Sequence, residues 1–326
     1  MSAKHNQPTP ECKFGTFLLQ RTISLDSAQK QPPLRIAYRI IRPSLLNNAS
    51  PTVAPLIFIH GGPSLPSEYL TSLAHHITNR TIIFYDQLGC GWSSIPQQNE
   101  WYGVGNMSHD LRELLYHLKD VWKVEKFHLL GHSLGGAIGY EFLKKELDLQ
   151  YGSIASGGSI PQCLSLILSN ASTNFELSSS EQTRMFTEYN LQHLQTQMPF
   201  KQKHQTKKLS IHDQFFQTHI CRTSTKPADL VSSLSRRGKD WSANDYSVTP
   251  VSEMAVSGNN FPPVLIIRGQ YDFVTEACTQ GWKDIFALMK NKLSEVILED
   301  CAHYPHFEQP EKYSQCIELF CFNAES

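Results

Sequence analysis

The 326-residue sequence lacks an excess of either charge, since 29 lysines and arginines are matched by 30 aspartates and glutamates. A formal net charge of −1 argues against a nucleic-acid-binding surface and against a polybasic membrane-binding surface. No apolar run reaches the roughly 20 residues that a membrane-spanning helix needs. The polar, proline-containing residues 1–17 also lack the apolar centre of a secretory signal. We therefore expect a cytoplasmic protein that binds neither nucleic acid nor membrane.

Closely spaced cysteines are missing as well. The eight cysteines are scattered and form no C-x-x-C motif, so we expect reduced thiols and neither a metal site nor a cofactor. Internal repeats are also absent. With 40% hydrophobic and 18% charged residues, the chain has enough apolar side chains for a large core. Its length suits one large domain, or one domain that carries an insertion.

Short, continuous apolar runs recur along the chain. Six of them have the length of strands: 55–60, 81–86, 126–130, 164–169, 263–268 and 295–299. Such runs are typical of strands that are buried on both faces, as in parallel sheets. Two further strands, at 15–24 and 33–42, form a predicted N-terminal hairpin. Because helical patterns fall between the strands, we predict an α/β fold with a mostly parallel central sheet flanked by helices.

One of these helices is marked by an apolar face. Its residues repeat at helical spacing: Leu111, Leu114, Leu115, Leu118 and Val121. The pattern predicts an amphipathic helix that packs on the sheet, with Asn106 or Ser108 as its N-cap.

The alternation of strands and helices stops between residues 172 and 260. This stretch is polar, with only short amphipathic pieces at 183–194 and 211–220. Because it lies between two predicted strands, we interpret 172–260 as an inserted, mainly helical cap, and 1–171 together with 261–326 as the core domain. Such a cap would cover the carboxyl edge of the sheet, where ligands of open α/β sheets bind.

Residues 131–135, Gly-His-Ser-Leu-Gly, have the form G-x-S-x-G. A predicted strand precedes them and a predicted helix follows. In this setting the serine lies on a sharp, strained turn that exposes its hydroxyl at the end of a strand. The glycines avoid collisions with the neighbouring strand and helix. We therefore predict that Ser133 is a nucleophile that attacks a carbonyl.

A serine nucleophile needs a base and an acid that orients the base, and in this topology they follow in the order acid, then histidine. Asp272 follows the strand at 263–268, and His303 follows the strand at 295–299. Both would emerge at the same sheet edge as Ser133. Asp300 is the alternative acid, but it lies too near His303 in sequence to come from a separate strand. We interpret His306 as structural.

The developing oxyanion needs backbone N–H donors. His60-Gly61-Gly62-Pro63 follows a strand and precedes a predicted helix near Ser67. A loop of this type supplies one donor, and the residue after the nucleophile supplies the other. We predict Gly62 and Leu134 as the two donors; the alternative is that the glycines form a turn and nothing more.

Four segments together resemble the α/β-hydrolase superfamily, and within it the proline iminopeptidase-like group of serine peptidases (peptidase family S33-like). They are HGGP at 60–63, DQLGCGWS at 86–93, GHSLGG at 131–136, and YDFVT with AHYPHFEQP towards the end of the chain. The first two are specific to this group. The resemblance implies an α/β-hydrolase fold, Ser133 as nucleophile, His303 as base, Asp272 as orienting acid, and a helical cap that selects the substrate.

The sequence departs from this group where the substrate binds. The resemblance implies that carboxylates hold the free α-amino group of the substrate, one in the cap and one directly after the triad aspartate. Glu253 matches the first only loosely, and Phe273 stands in place of the second. An ammonium group buried beside Phe273 would lose a charge partner. Ser64 replaces the last glycine of the HGGPG found in many members.

These features predict a serine hydrolase that cleaves a small, rather apolar ester, lactone or amide through an acyl-enzyme. One alternative is a proline iminopeptidase or amino-acid amidase that recognises an amine through Glu253. Another is a lyase, a cyclase or a ligand-sensing receptor on the same fold, and the intact triad disfavours these. The expected partner is a small-molecule substrate, with Glu253 and Phe273 as substrate-binding residues.

Overall fold

A computed structural model describes residues 11–20, 33–42, 53–151, 160–196, 209–251, 261–287 and 293–326. One sheet contains all the named strands: β1 (Glu11–Leu18), β2 (Arg35–Arg42), β3 (Leu56–Ile59), β4 (Ile82–Asp86), β5 (Lys126–His132), β6 (Gln162–Ser169), β7 (Val264–Gly269) and β8 (Leu293–Leu298). Each of the six predicted apolar runs coincides with a strand from β3 to β8. The two predicted N-terminal strands overlap β1 and β2.

The strand order in the sheet is β1-β2-β4-β3-β5-β6-β7-β8. The pairs β1–β2 and β2–β4 are antiparallel, whereas every pair from β4 onwards is parallel. In the middle of the sheet, Ile57 of β3 lies opposite Ile83 of β4 and Leu129 of β5. The parallel arrangement brings the carboxyl ends of β5 to β8 to one edge, so the loops that follow these strands are neighbours.

The strands are apolar on both faces because each face of the sheet packs against its own core. Ile57 and Ile59 of β3 belong to the cluster on one face, and Leu56 and Phe58 belong to the cluster on the other. All four side chains are fully buried. Because successive side chains of a strand point to opposite faces of the sheet, one continuous apolar run contributes side chains to both cores.

The described α-helices are α1 (Val104–Trp122), α2 (Leu134–Tyr151), α3 (Phe175–Thr196), α4 (Ile211–Phe215), α5 (Ala228–Ser235), α6 (Glu276–Ile285), α7 (Pro305–Glu308) and α8 (Pro310–Glu325). Residues of α1 and α2 pack on one face of the sheet, and residues of α8 pack on the other. The chain therefore has the predicted α/β-hydrolase architecture. None of the helices within the described ranges is both long and apolar enough to cross a membrane.

The apolar pattern predicted α1, but two details were wrong. The helix begins at Val104 after Gly103, so neither Asn106 nor Ser108 is its N-cap. Val121 is 53% exposed, because it lies in the last turn, where the helix ends beside solvent.

The insertion between β6 and β7 contributes α3, α4 and α5, with a π-helical turn, Phe216–Ile220, directly after α4. Its described part is mainly helical, as predicted. The insertion contacts the core through backbone hydrogen bonds, among them one from the His303 N–H to the Ile220 carbonyl at 3.0 Å. Glu253 lies outside the described residues.

Candidate active site

Ser133 forms the turn between β5 and α2. Its backbone φ is 54°, in the left-handed region that non-glycine residues rarely adopt, so the turn is strained. Hydrogen bonds hold both sides of the turn. The Ser133 N–H donates to the Ser169 carbonyl at 2.8 Å, and the Gly136 N–H donates to the Ser133 carbonyl at 2.9 Å.

Gly131 and Gly135 allow this turn to be tight. A Cβ added to Gly131 would lie 2.3 Å from the Gly135 carbonyl oxygen, and a Cβ added to Gly135 would lie 2.2 Å from the Ile59 carbonyl oxygen. Both distances are far shorter than van der Waals contact, so a side chain at either position would push α2 away from the sheet. The two glycines thus allow Ser133 to lie at the edge of the sheet.

Asp272 and His303 lie in the loops after β7 and β8 and meet at this edge. The His303 Nδ1–H donates to Asp272 Oδ1 at 2.9 Å, and both side chains are buried. This bond assigns the ring proton to Nδ1 and leaves Nε2 as an acceptor. Ser133 and His303 line the same cavity, although within the described ranges Ser133 Oγ forms no hydrogen bond to the ring.

Further donors fix the Asp272 carboxylate. Asn170 Nδ2 donates to Oδ2 at 2.6 Å, and the Val274 N–H donates to Oδ1 at 2.9 Å. Asn170 directly follows β6 and also donates to the Ala302 carbonyl at 3.0 Å, so it joins the loops after three strands. Sequence reasoning missed Asn170. Its position directly after an apolar strand, at the edge that carries Ser133, is the signal that would have indicated it.

A chain of hydrogen bonds links the loops around Ser133. The Gly61 N–H donates to the Tyr69 hydroxyl at 2.7 Å, the hydroxyl donates to His132 Nδ1 at 2.8 Å, and the His132 Nε2–H donates to the His303 carbonyl at 2.7 Å. Burial holds the pKa of His132 well below its usual value, so the ring is neutral, as this chain requires. Sequence reasoning treated His132 only as the variable residue of G-x-S-x-G and missed this role.

Glu308 holds the loop that carries His303. Its carboxylate accepts hydrogen bonds from the backbone N–H groups of Ala302 and Tyr304, the two neighbours of His303. Burial raises the pKa of Glu308 to about 7, and the nearby Asp272 carboxylate acts in the same direction. Sequence reasoning assigned no role to this residue.

The alternative acid and base lie elsewhere. The Asp300 side chain is 73% exposed, with a carboxylate oxygen 3.9 Å from the Arg222 guanidinium. His306 is buried beside His132, with the two rings edge to face at 5.6 Å, and burial lowers its pKa to about 3. Among the described residues that line the cavities at Ser133, neither Asp300 nor His306 is present.

Two backbone N–H groups are candidate donors to a substrate, one at the Ser133 turn and one in the loop after β3. Leu134 is the first residue of α2, so its N–H has no partner within the helix. Gly62 lines both cavities at Ser133. The N–H of its neighbour Gly61 already donates to the Tyr69 hydroxyl. Of these two glycines, Gly62 is therefore the better candidate for a donor to a substrate.

The cleft at Ser133 consists of two adjoining lobes. Both are lined by a shared set of residues: Gly62, Pro63, Ser133, Gln182 and Phe273. The first, which we call the histidine lobe, has a volume of about 280 Å³ and is also lined by His303, Tyr304, Ile220, Leu234 and Arg237. The second, the tryptophan lobe, has a volume of about 350 Å³ and is also lined by Trp241, Phe175, Val274, Asp240 and Asn244.

Phe273 lies at the junction of the two lobes, with its ring 4.5 Å from the His303 ring. The structure thus brings Phe273 to the cavities that Ser133 lines, whereas Glu253 is not among the described residues. Two charged residues of the lobes, Arg237 and Asp240, were missed by sequence reasoning. No motif within the polar stretch 172–260 distinguishes them from its other charged residues.

Two larger cavities occur away from this cleft. One, of about 670 Å³, lies beside β1 and β2 and is lined by Phe14, Arg39 and Trp92 among others. The other, of about 730 Å³, lies between α1 and α2. Their described lining includes neither Ser133 nor His303, so the smaller cleft is the candidate active site.

Comparison with known proteins identifies the family. Residues 54–310 match the alpha/beta hydrolase fold family, and the chain belongs to it. The proline iminopeptidase of Saccharolobus solfataricus is 26% identical over 293 residues, covering 81% of this chain and 84% of the relative. The proline iminopeptidase of Lactobacillus crispatus is 29% identical over 284 residues, covering 81% and 88%. The predicted resemblance to this group is confirmed.

Solved structures share the fold. The crystal structure of VinJ has a TM-score of 0.69 and 19% identity, and the alignment covers 96% of this chain and 99% of VinJ. Proline iminopeptidase from Mycobacterium smegmatis has a TM-score of 0.65 and 20% identity, with 89% and 95% covered. A thermophilic esterase from Thermogutta terrifontis has a TM-score of 0.54 and 17% identity, with 90% and 95% covered.

Proposed function

We propose that this protein is a serine hydrolase with Ser133, His303 and Asp272 as its catalytic triad. The observation that carries the proposal is the buried Asp272–His303 hydrogen bond beside the cavity that Ser133 lines. Asp272 holds the imidazole with Nε2 unprotonated. Nε2 then accepts the hydroxyl proton of Ser133 while Oγ attacks an acyl carbonyl.

The remaining steps follow from the same geometry. The N–H groups of Gly62 and Leu134 stabilise the tetrahedral oxyanion. His303 returns the proton to the leaving group, and an acyl-enzyme remains on Ser133. His303 next activates a water molecule, which cleaves the acyl-enzyme and regenerates the free hydroxyl.

The proposed substrate is a small, rather apolar ester, lactone or amide. The two lobes have volumes of about 350 and 280 Å³, which is enough for a small molecule on either side of Ser133. The aromatic rings of Phe175, Trp241 and Phe273 supply apolar lining. Phe273 occupies the position where peptidases of the related group carry a carboxylate.

A second candidate function is an iminopeptidase or amino-acid amidase. It is favoured by Asp240, an acidic residue in the lining of the tryptophan lobe, and by the proline iminopeptidases among the relatives. In this alternative Asp240, alone or together with Glu253, would meet the ammonium group of the substrate.

We also propose a division into a core, 1–171 with 261–326, and a cap, 172–260. The support is that α3 to α5 lie between β6 and β7, that α3 supplies Gln182 to both lobes, and that α5 supplies Leu234 to the histidine lobe. The eight cysteines are free thiols, which agrees with the proposed cytoplasmic location, where thiols stay reduced.

An active-site-directed fluorophosphonate tests the proposed function. We expect covalent labelling at Ser133, found by peptide mass spectrometry, and no labelling of Ser133→Ala. The same substitution should lower kcat by about 10⁴ or more, the scale on which removal of a triad nucleophile acts. Ser172→Ala, in the tryptophan lobe, is the matched control and should still be labelled. An unlabelled wild type, or a Ser133→Ala variant within about tenfold of wild-type turnover, would contradict the proposal.

A further inference from the structure

The segment after α5 is bound to two loops of the core. The Gly238 N–H donates to the Ser64 carbonyl at 3.0 Å, and the Lys239 N–H donates to the Gly89 carbonyl at 2.8 Å. The Ser64 hydroxyl donates to the Lys239 carbonyl. A Cβ at Gly238 would lie 1.7 Å from the Gly89 carbonyl oxygen, so this approach requires glycine. The backbone of the segment is therefore fixed beside the cleft, and Ser64, which departs from the related group, helps to fix it.

This attachment positions the side chain of Arg237 in the histidine lobe. Its Nη2 lies 3.4 Å from the carbonyl oxygen of Pro63, next to Gly62. Among the described residues that line this lobe, no aspartate, glutamate or lysine accompanies it. Within the same described ranges, the guanidinium forms no ion pair with a carboxylate. A guanidinium with free donors at a cavity wall is suited to bind a planar anion.

In the proposed mechanism, the leaving group departs on the side of the histidine lobe. His303 must deliver its proton to the leaving atom, so that atom lies near the imidazole. The tryptophan lobe shares Ser133, but His303 is not in its described lining. The acyl group therefore occupies the tryptophan lobe. Asp240 in that lobe disfavours an anion there. Of the charged residues in the segment, Arg237 lines one lobe and Asp240 lines the other, so the cleft is positive on one side only.

We infer that the enzyme selects substrates whose leaving group carries a carboxylate, which Arg237 binds. The inference rests on the proposed function. In the reaction, the acyl–oxygen or acyl–nitrogen bond breaks, the acyl group passes to Ser133 Oγ, and the leaving atom takes the proton from His303. The carboxylate itself is unchanged and serves only for recognition, so Arg237 is a specificity-determining residue.

Matched esters test this inference. The wild type is assayed with an aliphatic acyl ester of 4-hydroxybenzoate and with the same ester of 4-hydroxybenzamide, which has similar size and no charge. The two leaving groups also differ electronically, so the two esters cannot be compared in the wild type alone. The informative quantity is the change, from wild type to variant, in the ratio of the kcat/KM values of the two esters. We expect Arg237→Gln to lower the carboxylate-to-carboxamide ratio about tenfold, as for loss of one hydrogen bond to a charged group. Arg237→Lys should restore part of the preference.

Arg236→Gln is the control, because Arg236 precedes Arg237, lines the cavity beside β1 and β2, and pairs with Glu68. It should leave the ratio unchanged. An equal ratio in wild type and Arg237→Gln, or an equal loss in Arg236→Gln, would overturn the inference while hydrolysis stands.

A binding measurement separates this inference from the proposed function. Calorimetric binding of 4-hydroxybenzoate to Ser133→Ala, lost in Ser133→Ala/Arg237→Gln, supports the anion site without any turnover. If that binding is present and the wild type neither hydrolyses esters nor reacts with the fluorophosphonate, the proposed function fails and the anion site stands. If 4-hydroxybenzoate does not bind, the anion site is wrong.

Discussion

The loops at the sheet edge and the segment after α5 line the same cleft, but they are held differently. Asp272 and His303 are 2% and 5% exposed, and their side chains are fixed by hydrogen bonds to each other and to neighbouring loops. Arg237 and Asp240 are exposed, and it is chiefly the backbone between them that is bound to the core.

In the proposed function, this difference separates two tasks, proton transfer and substrate selection. Groups that move a proton need fixed atomic positions, and the sheet-edge loops supply them because each loop is hydrogen-bonded to the next. Side chains that determine substrate specificity can be exposed to solvent, provided that their backbone is held in place. Changes at the sheet edge should therefore lower the rate for every substrate alike, and changes in the insertion should alter the ratio between substrates.

The largest effect should come from the sheet edge. Asp272→Asn should lower kcat by about 10⁴, because an amide cannot hold the His303 tautomer that leaves Nε2 unprotonated. The loss should be the same for the 4-hydroxybenzoate and 4-hydroxybenzamide esters, measured as kcat/KM for each. Asp300→Asn is the matched control, since the Asp300 side chain is 73% exposed, and it should retain activity. A greater loss of activity in Asp300→Asn than in Asp272→Asn would mean that Asp300 is the orienting acid. A loss with only one of the two esters would mean that the sheet edge also selects the substrate.

Phe273 lies where the two regions meet, and its replacement should alter selectivity. In the wild type, an N-acetylated prolyl arylamide should have a higher kcat/KM than the free-amine form, since no carboxylate follows Asp272. Phe273→Glu should shift that ratio towards the free amine by about 1–3 kcal/mol, the range for a restored, partly buried charge partner. Phe273→Gln is the control, because glutamine has the size of glutamate without its charge, and it should not shift the ratio. A clear wild-type preference for the free amine would favour the iminopeptidase alternative.

The sequence predicted the sheet edge well because strand ends in a parallel sheet have few possible positions. Ser133, Asp272 and His303 each follow an apolar run that is predicted as a parallel strand. This pattern is enough to predict that the three residues meet at one edge of the sheet. The residues that support them were harder to predict. Asn170 acts through Asp272 and Ala302, which are distant in sequence. Glu308 acts through two backbone N–H groups of the loop just before it, and no residue type in the sequence marks these contacts. His132 has a role only because the fold brings Tyr69 and the loop after β8 next to it.

The insertion could be predicted only as a mainly helical stretch. Arg237 and Asp240 lie at the cleft because Gly238 approaches Gly89 closely, a contact between two distant loops that leaves no pattern in the polar sequence. The exposed groups of such a segment carry no burial pattern either. The cleft-lining residues in the insertion therefore became visible only in the structure.

The last expected effect is on stability and not on activity: a pH-dependent difference at Glu308, which holds the His303 loop through two backbone N–H groups. Its pKa is raised from 4.5 to about 7 by burial, so between these pH values the folded protein keeps a proton that the unfolded chain has released. The unfolded state then binds fewer protons, and the contribution of Glu308 to the free energy of unfolding falls as pH rises through this interval. The difference in that free energy between wild type and Glu308→Gln should therefore fall by on the order of 2 kcal/mol, followed by urea titration at several pH values. Glu299→Gln, an exposed glutamate at the end of the preceding strand, should show no such trend. A difference for Glu308→Gln that does not change with pH would mean that burial does not raise the pKa of this carboxyl group in the folded protein.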